Sequence, residues 1–488
     1  MNYIGIDLGT SAVKLLLVSE SGEILKTASE SYPLEFPHNG WSQQDPKDWW
    51  EAVRKGLKVL LEDHDPSEVK AIGCGGQMHG LVLLDENDEV IRPCILWNDG
   101  RTQKETDFLN TIEKLPEYTA NIAFAGFTAP KILWVRENEP ENFQRTRKIM
   151  LPKDYINYKF TGVFSTDYSD ASGMLLLDVE NKRWSKEMIE LCGIGEKMLP
   201  KLYESYEVTG KVREEIAEEF GFHDVKVVAG AGDNAAAAIG TDTVHDGSCN
   251  ISLGTSGTVF IASDRFPKLE NHAIHNFAHA NGKYHLMGCI LSAASCNKWF
   301  AEEIFKTDDY AKEQEAVTED MLGRNHVFFL PYLMGERSPI NDTDARGMFI
   351  GMSMDTKRED MYLAVLEGVA FAIRDCLENA KEAGIDIKES MICGGGSKSP
   401  LWRKIIANVL NITLAIPQSE EGPGYGGAML GMVADGLYAS VEECGDALVK
   451  VRGYEYPDEM TAKRYEEKYQ MYRKIYPAVR QLYKEIKK

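Results

Sequence analysis

Ile6-Asp-Leu-Gly-Thr-Ser-Ala-Val-Lys-Leu-Leu-Leu17 is matched 245 residues later by Ile251-Ser-Leu-Gly-Thr-Ser-Gly-Thr-Val-Phe-Ile-Ala262. Five of the twelve positions are identical, and both copies keep apolar flanks. Each reads as strand, Gly-Thr-Ser turn, strand, because one cluster of turn-forming residues interrupts an apolar run. The offset is about half of the 488-residue chain. A repeat of that period predicts two similarly built halves. Gly and Asp interrupt the pattern near Thr241–Asp246, so the domains are expected over 1–243 and 244–488.

Outward from the first copy, Tyr3 to Leu8, Val13 to Ser19 and Ile24 to Ser31 read as strands. Asp45-Pro46 reads as the cap and first position of a helix, and Trp49, Val53, Leu57 and Leu60 follow at helical spacing. Val69 to Cys74 is a further strand, and Leu81–Asp85 and Glu89–Ile91 flank a polar turn. Strands alternating with helices define an α/β chain. At the C-terminus, Tyr465, Tyr469, Tyr472, Tyr476, Val479 and Tyr483 share one helical face. Pro477 is expected to bend that helix.

Composition narrows the function classes. With 43% hydrophobic residues the chain can build sizeable cores, which excludes disorder as its main state. Lys and Arg number 54 against 76 Asp and Glu, a formal charge of -22. That balance argues against nucleic acid or an anionic membrane as the main partner. A small anion remains compatible, because repulsion is screened within about 8–10 Å. It would need local N–H groups or a cation. No apolar run reaches about 18 residues, so no membrane-spanning helix is expected. The first stretch carries Asp7 and Lys14 and lacks a basic leader, so it reads as strand rather than signal peptide. The nine cysteines are scattered without a CxxC pair. A disulfide framework or zinc site is not expected, and a reducing cytoplasm fits.

Several segments can carry chemistry. Asp7-Leu8-Gly9-Thr10-Ser11 ends an apolar strand, where Gly9 permits a tight turn and hydroxyls and N–H groups can wrap phosphate oxygens. Gly254-Thr255-Ser256-Gly257 offers the same device from the second half. Two such turns facing one another would clamp a polyphosphate; each alone could be only a hairpin turn. Asp7 could hold a metal, directly or through water, or merely stabilise its turn. Lys14 could equally be an edge or snorkelling lysine. Asp233 follows the apolar strand Val225–Ala229 between Gly232 and Asn234. It could accept a hydroxyl proton during phosphoryl transfer or cap the next helix. Gly394-Gly395-Gly396-Ser397 could admit a flat ring or a phosphate. Gly75-Gly76-Gln77-Met78-His79-Gly80 places polar groups able to bond a polyol, though a lone His is often only packed.

Together these motifs resemble the FGGY carbohydrate kinases, over residues 2 to about 440. The likeness rests on Gly76-Gln-Met-His-Gly80, Leu96-Trp-Asn-Asp-Gly-Arg101-Thr102, Gly232-Asp-Asn-Ala235, Ser252-Leu-Gly-Thr-Ser-Gly257, Gly335-Glu-Arg-Ser-Pro339 and Glu421-Gly-Pro-Gly-Tyr-Gly426. Both family signatures also occur, one over Gly126–Asn138 with Lys131 and Trp134, the other over Gly347–Glu367. The resemblance implies two ribonuclease-H-like domains of the actin-like ATPase fold, the first binding sugar and the second nucleotide, with ATP and substrate in the cleft between them. Within the family it is strongest to the members that phosphorylate D-xylulose to D-xylulose 5-phosphate. Kinases for ribulose, gluconate or glycerol, and a non-catalytic actin-like ATPase, are the alternatives. It implies Asp233 as general base, and Met78, His79, Asp233 and Asn234 as sugar ligands. Asp7 is implied near Mg²⁺ through water. ATP is expected on Thr10, Ser11, Lys14, Gly254, Thr255, Ser256, Gly395, Gly396 and Ser397. Many relatives carry Ala where Ser397 stands. The partners implied are a sugar and ATP; a homodimer is compatible with this and the oligomeric state stays open.

Overall fold

The computed structural model describes residues 1–486. Only the elements that position the site are numbered. The first sheet contains β1 (Asn2–Leu8), β2 (Ala12–Ser19), β3 (Ile24–Ser31), β4 (Val69–Gly76), β5 (Val208–Lys211) and β6 (Lys226–Val228), in the order β3-β2-β1-β4-β6-β5. The second contains β7 (Cys249–Leu253), β8 (Gly257–Ser263), β9 (His275–Ala278), β10 (Tyr284–Ile290), β11 (Glu389–Cys393), β12 (Thr413–Pro417) and β13 (Val451–Glu455). Its order is β9-β10-β8-β7-β11-β12-β13.

Leaving out the extra edge strand β9 of the second sheet and the short strand Ala231–Gly232 that pairs with β4 in the first, the two sheets are the same. In each, the hairpin carrying the Gly-Thr-Ser turn is antiparallel and a third strand joins it antiparallel. On the other side two strands run parallel and the edge strand runs antiparallel. The twelve-residue repeat is thus the visible part of two ribonuclease-H-like halves, as expected.

β1 is buried along both faces, which explains its unbroken apolar character. Ile4, Ile6 and Leu8 pack with Trp49, Val53, Leu57 and Leu60 of α1 (Pro46–Leu61). Asp45 caps that helix, its carboxylate accepting from Lys47 N at 2.9 Å. Glu89–Ile91 forms no strand; Val90 makes an isolated bridge to Leu84, and Val82–Leu84 pairs instead with Lys148–Met150. In the second half α3 (Arg358–Glu382) is the buried spine of the core.

The opposite face of the first sheet is covered from far along the chain. α4 (Gly422–Asp435) lies across β1 and β4 and against α2 (Asp233–Gly240). The approach is backbone to backbone. A Cβ on Gly5 would stand 1.8 Å from the Gly424 carbonyl oxygen, and one on Gly73 would stand 2.0 Å from that of Gly427. A Cβ on Gly426 would meet the Ala236 carbonyl at 1.8 Å. The sequence boundary at 243/244 therefore does not describe α4, which comes from the second half and packs on the first sheet.

The tyrosine-rich C-terminus is two helices, not one bent helix. α5 (Glu459–Tyr472) and α6 (Ile475–Ile486) break at Arg473–Lys474. Pro477 sits in the first turn of α6, where its missing N–H leaves no bond unmade. Tyr465, Tyr469, Tyr472 and Tyr483 are buried in the second half's core.

The glycine contacts make a test. Gly427→Ala should destabilise the protein by about 1–3 kcal/mol, the usual cost of overpacking. Gly453→Ala, whose Cβ would meet nothing within 4 Å, should stay within about 0.5 kcal/mol of the parent. Urea midpoints check both, and equal midpoints for the two variants would contradict the account.

Candidate active site

The Gly9–Ser11 turn joins β1 to β2 and is gripped from several sides. Gln44 Nε2 donates to Thr10 O at 2.6 Å, and Tyr32 OH donates to Gly9 O. The Thr10 hydroxyl donates to Gln77 Oε1 at 3.2 Å and accepts from Trp97 Nε1 at 2.9 Å. Ser11 is exposed. Lys14 is ion-paired with Glu421, just before α4. This turn is therefore rigid before any ligand arrives.

Asp233 opens α2. Gly232 takes the capping position, so Asp233 is the first helical residue and its side chain does not cap. Its Oδ1 accepts from Asn234 N at 2.7 Å and Asn234 Nδ2 at 2.9 Å. Burial pushes the carboxyl up to about 6, against those two bonds. Asp7, near the end of β1, is pushed up to about 7 by burial and then by the charge of Asp233, with Lys14 opposing. The charge of Asp233 thus reaches Asp7 across the junction of strand and helix.

Behind them, Gly232 N donates to Ser169 Oγ at 3.2 Å, and Ser169 Oγ donates to Asp167 at 2.5 Å. Asp167 meets Lys153 at 2.8 Å, and Lys153 also meets Asp154 at 2.7 Å. This network, buried throughout, fixes the backbone that presents Asp233. A Cβ on Gly232 would press into Met78 at 2.9 Å, so Met78 packs directly on that strand end.

His79 adopts a left-handed backbone, φ 69°. Its Nδ1 lies 2.8 Å from Gly173 O, a geometry that assigns the proton to Nδ1 and leaves Nε2 as an acceptor. Burial first, then Lys131, pushes the imidazole down to about 3, so it is neutral. Lys131 Nζ donates to His79 O and Gly126 O, both at 2.8 Å.

These residues border a cavity of about 550 Å³ between the halves. Met78, His79, Trp97, Phe124, Phe127, Asp233 and Asn234 line it from the first half. Thr255, Ser256, Gly257, Thr258, His275, Cys289, Met334 and Arg337 line it from the second. A smaller cavity of about 260 Å³ shares Asn234 and Thr258 with it and runs on to Asn250, Gly394, Glu420 and Gly422. The pair forms a two-chambered cleft that narrows at Asn234 and Thr258.

The second turn is also fixed: Thr255 O accepts from Ala293 N at 3.0 Å and from Ser295 Oγ at 2.7 Å, and Gly254 O from Ala294 N at 2.9 Å. Its exposed Thr255 and Ser256 form cleft wall. Around Gly394, Ser397 Oγ folds back to donate to Gly394 O at 2.8 Å. Gly394 and Gly396 press on Leu253, whereas a Cβ on Gly395 would meet nothing within 4 Å. Gly395 is exposed.

Of the residues picked from sequence, Met78, His79, Asp233, Asn234, Thr255 and Ser256 converge on the larger chamber. Asp7, Thr10, Ser11 and Lys14 line neither chamber; Thr10 reaches the larger through Trp97. Gly254 lines neither and precedes Thr255 of the larger, and Gly395–Ser397 follow Gly394 of the smaller. Sequence reasoning assigned no role to Trp97 or Arg337, although both lie in quoted motifs. Phe127 lies in the quoted Gly126–Asn138 signature but was given no role, and Phe124 and His275 carry no periodic or motif signal at all.

A duplicated strand-and-turn fold enclosing a carboxylate, hydroxyl-bearing turns and a two-chambered cleft is the architecture of an ATP-dependent sugar kinase. The chain belongs to the FGGY family of carbohydrate kinases: its N-terminal domain matches residues 2–240 and its C-terminal domain residues 249–434. A xylulose kinase of Escherichia coli K12 is 39% identical over 479 residues, covering 97% of this chain and 98% of that protein. A crystal structure of a "xyloylose kinase" from Brucella ovis superposes with a TM-score of 0.95 at 41% identity, covering 99% and 100% of the two chains. A gluconate kinase from Lactobacillus acidophilus gives 0.94 at 26% identity, covering 99% of each. The neighbours share the two-domain, actin-like architecture. Among the described residues no helix is long and apolar enough to cross a membrane.

The paired carboxyls set a pH limb. Both are raised, so each holds its proton in the fold at pH values where the unfolded chain has released it. A carboxyl that takes a proton from an acceptor hydroxyl, as the sequence reading expects of Asp233, must be ionised. kcat/KM should therefore fall as the pH drops through about 6–7, with a macroscopic value belonging to the pair. A profile flat down to about pH 5 would contradict this.

Proposed function

We propose that this protein transfers the γ-phosphoryl of ATP to D-xylulose, giving D-xylulose 5-phosphate, with Asp233 as general base. The observation that carries this is the position of Asp233. Its carboxylate borders the larger chamber at the neck, beside Asn234, which lines both chambers. A sugar in the larger chamber and a nucleotide in the smaller would meet there. Met78 and Asn234 would border the sugar, and His79 Nε2 would accept from one of its hydroxyls. The open space at Gly395 suits a flat ring, since no protein contact demands a glycine there. The Thr255–Thr258 turn would face the phosphates, opposite the rigid Thr10 turn.

Physically, a sugar hydroxyl is a weak nucleophile, and loss of its proton as it attacks helps. Asp233 can take that proton because burial has raised its carboxyl towards neutrality while Asn234 keeps the ionised form accessible. Asp7 fits a hard dication: it is an acid with a second acid nearby, and its adjacent lysine is committed to Glu421. Mg²⁺ bound there through water would offset charge on the transferring group. Apposition of the halves would exclude water from the neck.

Fold cannot decide the sugar, because xylulose and gluconate kinases superpose almost equally well. Identity favours the ketose, at 39–41% against 26%. The cytoplasm is the compartment we assign; all nine cysteines are free, which suits a reducing one.

The test is ADP release with a panel of sugars. D-xylulose should give the highest kcat/KM, and another sugar about tenfold better (~1.4 kcal/mol) would overturn the assignment. Asp233→Asn, which keeps shape and loses charge, should lower kcat by at least about a hundredfold. Near-normal turnover in that variant would remove Asp233 from the chemistry.

A further inference from the structure

We infer that Arg337 is a catalytic residue that grips the phosphoryl group as it passes to the acceptor and then holds it as product phosphate. The inference rests on the kinase reading above. Arg337 is the one lysine or arginine among the residues lining either chamber. Its guanidinium sits 5.6 Å over the Phe124 ring. It forms no ion pair among the described residues, although its neighbour is an acid. Glu336 is held by main-chain groups: its Oε1 accepts from Leu291 N and from the backbone N of Arg337, both at 2.8 Å, and the side-chain partner of Arg337 is the neutral thiol of Cys289. The backbone at Arg337 is pinned on either side. Ser338 N donates to Cys289 O at 3.0 Å, and Asn341 N donates to Arg337 O at 2.7 Å.

A guanidinium held in a partly buried cavity without an ion pair is costly unless an anion arrives. The acceptor sugar is neutral and cannot be that anion. The anions of the reaction are the nucleotide phosphates and the sugar phosphate. Arg337 lies at the acceptor end, close enough to His79 and His275 for its charge to disfavour their protonation. It is not among the residues of the smaller chamber. The partner is therefore the phosphoryl group on the acceptor side. In the transfer, the bond from the γ-phosphorus to the β–γ bridging oxygen breaks and its electron pair leaves with ADP. The acceptor oxygen bonds to phosphorus, and its proton passes to Asp233. Until it takes that proton, an ionised Asp233 repels the incoming anion, and a planar two-pronged cation lining the same chamber offsets this. Contact that tightens during transfer lowers the barrier rather than merely binding ATP.

The experiment compares full-length parent, Arg337→Met and Arg337→Lys by calorimetry and steady-state kinetics. Arg337→Met should bind D-xylulose 5-phosphate at least about tenfold more weakly (the loss of a charged hydrogen bond) and lose about 10²–10³-fold in kcat. Its affinities for D-xylulose and ADP should stay within about threefold (~0.7 kcal/mol), which also shows that it is folded. Arg337→Lys should recover part of kcat by restoring the charge. Equal losses for D-xylulose and its phosphate would assign Arg337 to the neutral sugar and overturn the inference, as would unchanged phosphate affinity. A parent protein inactive on D-xylulose but active on another sugar overturns the D-xylulose assignment, and equal losses in Arg337→Met for that sugar and its phosphate then overturn the inference as well. A parent inactive on every sugar overturns the kinase reading itself, and with it the inference.

Discussion

Backbone lies against backbone where α4 crosses the first sheet, and most of the site hangs from that contact. Gly5 and Gly73 on the strands face Gly424 and Gly427 on the helix, with carbonyls where side chains would be. Such closeness is possible only between glycines. It sets the height of α4 above the sheet, which in turn sets α2, wedged through Gly426 against Ala236 and Gly240. Asp233 begins α2, and Glu421, just ahead of α4, holds Lys14. Asp233, the neighbouring lysine and the neck of the cleft are thereby located by one seam of close packing.

Electrostatically the cleft is unusual for a polyanion site. The protein is strongly acidic, two raised carboxyls stand at the junction, and the histidines at the acceptor end are neutral. Attraction must then be local. It comes from hydroxyl-bearing turns fixed by their own backbone bonds, and from a guanidinium whose adjacent acid is occupied with main-chain N–H groups.

The repeat was legible because a Gly-Thr-Ser turn between apolar strands leaves the same trace twice. Asp233 was legible as a candidate, but base and cap looked alike until the structure gave the cap to Gly232. The role of Glu421-Gly-Pro-Gly-Tyr-Gly426 was not legible beyond a motif, because its glycines answer to Gly5, Gly73 and Ala236, hundreds of residues away. The C-terminal tyrosines keep helical spacing across Arg473 and Lys474, so the break there left no mark. Phe124 and His275 line the cavity through loop and strand ends whose convergence no local pattern encodes.

The seam between α4 and the first sheet also governs how the chain is made. Gly5 and its partner Gly424 are 424 − 5 = 419 residues apart. A ribosome adding about 5–20 residues per second needs on the order of 20–80 s between the two. For that interval β1 and β4 have one face without its helix, and Tyr3, Ala71 and Leu16 of the cluster beneath α4 are open to other nascent chains. The first half to emerge thus stays incomplete until a helix of the second half has been made. Fragments ending near the middle of the sequence lack the layer that covers their own sheet, so truncation or premature termination yields an aggregation-prone half rather than a free sugar-binding domain.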